Sequence, residues 1–237
     1  AHDGQADESD VRYCLLSHDC LEGKWKPQMN ADERRWEQDF LIWLENENTF
    51  CNSLVDRIVP GKPDPLMRDS IENTLGYQDE LILITEVYRL WAIEGDEKVK
   101  EILSFSEVDE GVVIAPDITL YRELKLRMLN GTHTLSSGIA FLAGCDTVIT
   151  AMKDPLLSGF IRRVMLQEIA PAIPFDVNKS VAEDYGNQVL ERFGNPFLQH
   201  KWINITLQYS TKMKMRNLPL LLEYYKLHDA PPPLMVL

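Results

Sequence analysis

Apolar residues recur at helical spacing along most of the chain, with charged residues between them, and short runs of apolar residues interrupt that rhythm in only a few places. Residues 30–46 place Trp36, Phe40, Leu41 and Trp43 on one stripe and predict a helix ended by Asn48 and Thr49. Before it, the apolar run at residues 11–17 has a strand's length and composition. Residues 50–61 form another apolar run, closed by Pro60 and Gly61, and predict a strand or tight segment ending in a turn. Residues 62–69, rich in proline and charge, predict a loop, and residues 79–93 alternate acidic and apolar positions on a helical period, with Tyr88 and Trp91 as core residues. After a break at Gly95 and Asp96, residues 98–103 are amphipathic, and residues 111–117 give a short strand stopped by Pro116, with Asp117 as cap of the next helix.

That helix, or helix pair, spans residues 120–151, and small residues from Ser136 to Gly144 allow close packing. Residues 156–169 predict another helix between Pro155 and Pro171, and residues 181–193 a further one stopped at Gly194-Asn195-Pro196. From Phe197 the pattern stays helical up to Pro219. The pattern as a whole predicts a mainly α protein: a helical domain with a short α/β remnant at the N-terminal end.

Composition narrows what such a protein does. Its 237 residues, 45% hydrophobic, can bury a sizeable core. A net charge of −13 and a pI near 4.8 argue against nucleic acid or an anionic membrane as main partner. No apolar run reaches the roughly 18 residues a membrane span needs, and the acidic start is unlike a secretory signal, so a cytoplasmic location is expected. Cys14, Cys20, Cys51 and Cys145 lack zinc-ligand spacing; free thiols and no structural metal are expected. One basic island stands out in this acidic chain. Between Glu191 and Glu223 there is no acidic residue, yet Arg192, Lys201, Lys212, Lys214 and Arg216 fall there. They can be solvated helix residues; alternatively, Lys212, Lys214 and Arg216 form an anion site for a substrate carboxylate.

Candidate chemistry lies in the stretch from Lys125 to Thr134. An amine at Lys125, an amide at Asn130 and an imidazole at His133 would project at about 0°, 140° and 80° around an α-helix, within one broad face. A desolvated Lys125 can act as a base near neutral pH while Asn130 and His133 hold the oxygen of an alcohol or ketone. Spacing alone favours a solvated face with one capping amide.

This stretch is accompanied by Phe50-Cys51-Asn52-Ser53-Leu54-Val55-Asp56-Arg57-Ile58-Val59-Pro60-Gly61 and by Val113-Ile114-Ala115-Pro116-Asp117-Ile118. The ordered series, from about Trp36 to about Leu222, resembles the polyol-specific long-chain dehydrogenases, the family of mannitol dehydrogenase and the hexuronate reductases. The resemblance implies an NAD-dependent oxidoreductase acting on a small sugar acid or polyol. In that reading Lys125 is general acid and base, Asn130 binds the reacting oxygen and His133 orients a hydroxyl. Asn52, Val55 and Asp56 lie near the nicotinamide, and Asp56, Lys212, Lys214 and Arg216 position the substrate. It further implies that residues 1–60 are the end of a dinucleotide-binding domain and its junction, and residues 61–237 a helical substrate domain, with both chain ends cut. The form of the residue 50–61 motif and the basic island tilt the expectation to a hexonate and its keto acid, with mannitol or fructuronate chemistry as alternatives. No G-x-G occurs among the twelve glycines, so the pyrophosphate cradle of a Rossmann fold is missing from this stretch. That absence supports a contrasting reading, a helical module with a binding role and no catalysis of its own.

Overall fold

The computed structural model describes the backbone of residues 31–237 and the side chains of residues 38–237. The chain divides into two compact units, residues 1–50 and 51–237. In the first, the expected helix is α1 (Ala31–Glu47), with Phe40 and Trp43 rings 5.7 Å apart along it; Asn48 donates to the Trp43 carbonyl just past its end. The strand expected at residues 11–17 lies outside the described residues.

The second unit opens with a three-stranded sheet, order β1-β2-β3. β1 (Ser53–Asp56) runs antiparallel to β2 (Leu90–Glu94), which runs parallel to β3 (Val112–Ala115). Two expectations fail here. The loop expected at 62–69 instead starts α2 (Pro65–Leu75): Asp64 accepts from the Met67 amide, Pro65 stands in the first turn, and Gly76, at φ 78, closes the end. The helix expected over residues 79–93 does not form. Ile84 and Glu86 donate backbone bonds to the carbonyls of Gly61 and Ile58, and the segment then enters β2. Hydrogen bonding to neighbours on both sides of β2 outweighs the local helical period. Within β2, Ala92 and Ile93 are buried, whereas Trp91 is 40% exposed and stacks on Phe105 instead of entering the core.

The helical body follows. α3 (Glu97–Ile102) is capped by Asp96, and Asp117 accepts from the Thr119 amide at the start of α4 (Thr119–Glu123). α4 continues without a break into a π-helical segment, π1 (Leu124–Gly131), and then α5 (Thr132–Leu142). Of the helix or helix pair expected over residues 120–151, the pair forms: the backbone turns at Gly144 (φ 87) and restarts at α6 (Val148–Lys153) with a Thr147/Thr150 capping box. Asp154 caps α7 (Pro155–Arg163), which runs into π2 (Val164–Ile169), and Asn178 caps α8 (Lys179–Phe193). The helix expected from Phe197 to Pro219 is broken up. α9 (Trp202–Ile205), α10 (Tyr209–Lys212) and π3 (Met213–Asn217) follow, with Gln208 at φ 53 between the first two. Pro219 stands in the first turn of α11 (Leu218–His228), where a missing N–H costs nothing, so it starts a helix rather than ending one.

The core of this body joins Met128, Val164, Met165, Ile169, Val189, Trp202 and Leu220, all fully buried. Gly186 on α8 permits the closest approach, since a Cβ there would stand 2.6 Å from Leu166 and 2.8 Å from Met128. Among the described residues no helix is long and apolar enough to cross a membrane.

Candidate active site

The candidate residues Lys125 and Asn130 both lie on π1. In an α-helix five residues overshoot one turn and leave the two side chains about 140° apart, at the edges of one broad face. The i→i+5 hydrogen bonding of a π-helix makes five residues close to a full turn, so both side chains leave the same side of the helix. Two long side chains occupy the carbonyls of this region. Arg127, buried on π1, donates to the carbonyls of Met215 and Arg216, and Asn217, fully buried, donates to the Gly131 carbonyl. π1 and π3 are thereby tied together at the level of the site.

The Lys125 amine donates to the Val55 carbonyl at the end of β1. Burial lowers its pKa, with Arg192 and Arg216 pushing the same way and Asp56 opposing them. His133, 4% exposed, stacks flat on Phe193 at 4.0 Å and meets the rings of His200 and Trp202 edge-on. Burial, then His200, Arg192 and Arg216, hold His133 well below the ordinary histidine range, so it is neutral. Its Nε2 and the Nδ1 of His200 are buried without a hydrogen-bond partner, and both rings line a small cleft with Arg192, Phe193 and Leu198. The Asn130 side-chain amide has no hydrogen bond to the described residues, while its carbonyl accepts from Thr134 and, at 3.5 Å, from Arg216.

The basic island splits. Arg216 turns inward, donating to Thr134 Oγ1 at 3.1 Å, and Lys212 donates to the Ile205 carbonyl at 2.9 Å. Burial, with Arg216 beside it, lowers the pKa of Lys212, and Lys212 in turn adds to the burial that depresses His200. Lys214 stays exposed, as alternate sides of a helix require, and takes no part in this group. Arg216 is the common neighbour: it acts electrostatically on Lys125, His133 and Lys212 and donates to the Asn130 carbonyl.

Asp56 is placed differently from a free substrate contact. It is 1% exposed, and its carboxylate accepts from both terminal nitrogens of Arg192 at 2.9 and 3.0 Å and from the Tyr185 hydroxyl at 3.2 Å. Arg192 also binds both oxygens of Glu86 at 2.8 and 3.0 Å, beneath the Tyr88 ring 4.1 Å away. Neighbouring Val55 exposes its side chain, and the exposed Asn52 donates to Glu94. Sequence reasoning missed Arg192, Glu86, Tyr185 and His200 as parts of this region. Arg192 was visible as the first cation of the basic island, but pairing with carboxylates 136 and 106 residues away has no local signal. Among the described residues, no group of three or more His, Cys, Asp or Glu is placed to hold a metal.

Comparison with known proteins gives the family of the chain. Residues 28–106 match the mannitol dehydrogenase Rossmann domain and residues 117–237 the mannitol dehydrogenase C-terminal domain. The chain is 43% identical over 188 residues to altronate oxidoreductase of Bacillus subtilis, covering 79% of this chain and 38% of that protein. It is 39% identical over 193 residues to altronate oxidoreductase of Pectobacterium carotovorum, covering 81% and 39% respectively. The chain thus spans well under half the length of these relatives. A substrate-free D-sorbitol dehydrogenase shares the fold with a TM-score of 0.61 at 23% identity, over 78% of this chain and 37% of that one. The mannitol 2-dehydrogenase of Pseudomonas fluorescens, solved with NAD and D-mannitol, has a TM-score of 0.54 at 21% identity, over 84% and 45%. On these matches, the chain belongs to the mannitol dehydrogenase family.

Proposed function

We propose that the protein containing this chain is an NAD-dependent oxidoreductase interconverting a hexonate and its keto acid, with altronate and tagaturonate as the pair to test first. One observation carries the reading. Lys125, Lys212 and Arg216 make hydrogen bonds to carbonyl and hydroxyl oxygens and, among the described residues, have no carboxylate partner in contact, in a chain with 37 acidic residues; Arg216 acts electrostatically on both lysines and on the neutral His133. Partly desolvated cations without a carboxylate partner favour an anionic ligand.

In the oxidation direction, deprotonated Lys125 takes the proton of the reacting hydroxyl; in reduction it returns it. Desolvation moves the amine toward the neutral form required for this step. Neutral His133 and the uncommitted Asn130 amide supply hydrogen bonds to substrate oxygens, and Lys212 or Arg216 holds the carboxylate. The nicotinamide, when bound, accepts or donates the hydride. Exposed Asn52 and Val55, at the end of β1 next to the carbonyl that holds Lys125, suit the nicotinamide end, while the absence of G-x-G leaves its pyrophosphate to other residues of the longer protein. Asp56 serves that end by fixing β1.

The test is NADH consumption by the full-length protein with tagaturonate, fructuronate and fructose in parallel. Preference for a keto acid supports the reading; equal or better use of fructose overturns the sugar-acid assignment.

A further inference from the structure

The Asp56–Arg192–Glu86 cluster is more than a distant strut, because its first member follows Val55 in the chain, and the Val55 carbonyl is the acceptor for the Lys125 amine. Arg192 sits on the last turn of α8, 8% exposed, with four hydrogen bonds to two carboxylates. Glu86 also accepts from the Ile58 amide, so Asp56 directly and Ile58, just past the end of β1, through Glu86 are both held to Arg192. We propose that Arg192 is a positioning residue for Lys125: its two forks fix the end of β1, hold the Val55 carbonyl on the amine, and set a compensated charge pair beside it.

The charged groups facing Lys125 come from three packed elements. Asp56 of β1 favours the protonated amine; Arg192 of α8 and Arg216 of π3 oppose it. The members of the ion pair therefore act on the amine with opposite signs, and their balance leaves burial as the dominant influence. A mere structural brace would not produce opposite signs when its two ends are removed in turn. The catalytic meaning of this arrangement rests on reading Lys125 as the proton carrier; the positional claim does not.

The experiment measures the protonation of Lys125 directly, as the pH dependence of its trace acetylation followed by mass spectrometry, in the full-length protein. Asp56→Asn removes the charge that favours the ammonium, and about tenfold faster labelling at fixed pH is expected. Arg192→Met removes an opposing charge and is expected to slow labelling by a similar factor. Because Arg192→Met leaves two buried carboxylates unpaired and can unfold the protein, a triple variant with Asp56→Asn, Glu86→Gln and Arg192→Met removes all three charges together. In that variant the freed β1 end should let the amine rehydrate and titrate closer to an ordinary lysine. Unchanged Lys125 labelling in both Asp56→Asn and the triple variant, or a shift of the same sign on removing either end of the pair, overturns the proposal. The acid limb of kcat/KM for oxidation is read in the same variants. If labelling shifts as stated and that limb does not follow, the positioning role stands and Lys125 as the base is rejected.

Discussion

Two neighbouring groups of buried charge in this protein are built on opposite terms. Around Arg192, two carboxylates and an aromatic face meet one guanidinium, the Tyr185 phenol donates to one of those carboxylates, and every strong charge has a partner within 3.0 Å. In the second group, Lys125, Lys212 and Arg216 carry only neutral acceptors, and among the described residues one imidazole nitrogen each of His133 and His200 has no partner. Burial opposes the charge of Arg192, yet the hydrogen bonds of Asp56 and Glu86 still raise its pKa, so it stays an ion. The same burial lowers Lys125, Lys212 and His133, which have no such partners. Satisfied buried charge organises a fold, whereas unsatisfied buried charge carries a free-energy cost that a ligand can relieve. The contrast separates brace from site more sharply than distance does.

The largest test acts on the unsatisfied group. Lys125→Ala in the full-length enzyme should lower turnover by about 10² to 10⁴ while NADH affinity, read by fluorescence titration, stays within about twofold. Near-normal turnover would remove Lys125 from the chemistry and leave the second group as a mere patch of burial. On the satisfied group, Arg192→Met should cost roughly 3–5 kcal/mol in urea unfolding, because two carboxylates lose their partner inside the protein. The triple neutral variant should recover most of that loss; if it does not, packing rather than charge compensation explains the cluster.

A finer comparison uses the island itself. Lys212→Gln or Arg216→Gln should reduce kcat/KM for the keto acid by about 10- to 150-fold with little effect on a neutral ketose, the worth of one charge-assisted hydrogen bond. Lys214→Gln, on the exposed side, should change neither. Equal losses on acid and neutral substrates would deny the carboxylate role.

The smallest effect is one of pH and stability. The folded-state pKa of His133 is depressed, so below about pH 6.5 the unfolded chain binds a proton that the fold refuses. Stability should therefore fall with pH below that point, by up to ~1.4 kcal/mol per pH unit from this residue. His133→Phe should flatten the acid side of a plot of Tm against pH. An unaltered slope would mean that His133 is not held neutral by burial.

Much of the helical body was legible because caps and breakers act locally. Residues 181–193 stop at Gly194 as expected, although Gly194 closes the helix in the right-handed region (φ −78) rather than the left-handed one, and Asp117 binds the first turn of α4. The expected helix over 79–93 failed because β2 is stabilised by partners 34 to 40 residues before it and 21 after it, which a local period cannot register. The loop expected at 62–69 failed for the opposite reason: an Asp-Pro start signal was present at Asp64 and Pro65 and was outweighed by composition.

By itself, the sequence determined the residue types and order of the site: an amine, an amide and an imidazole within nine residues, and a basic island far downstream in an acidic chain. The tertiary structure decided what these do to one another. It wound Lys125 and Asn130 onto one side through a π-helix, turned Arg216 and Lys212 inward and Lys214 outward, and gave Asp56 to Arg192. The physical reason is that protonation and pairing depend on burial and on charges a few ångströms away in space, and those neighbours come from segments separated by 70 to 136 residues.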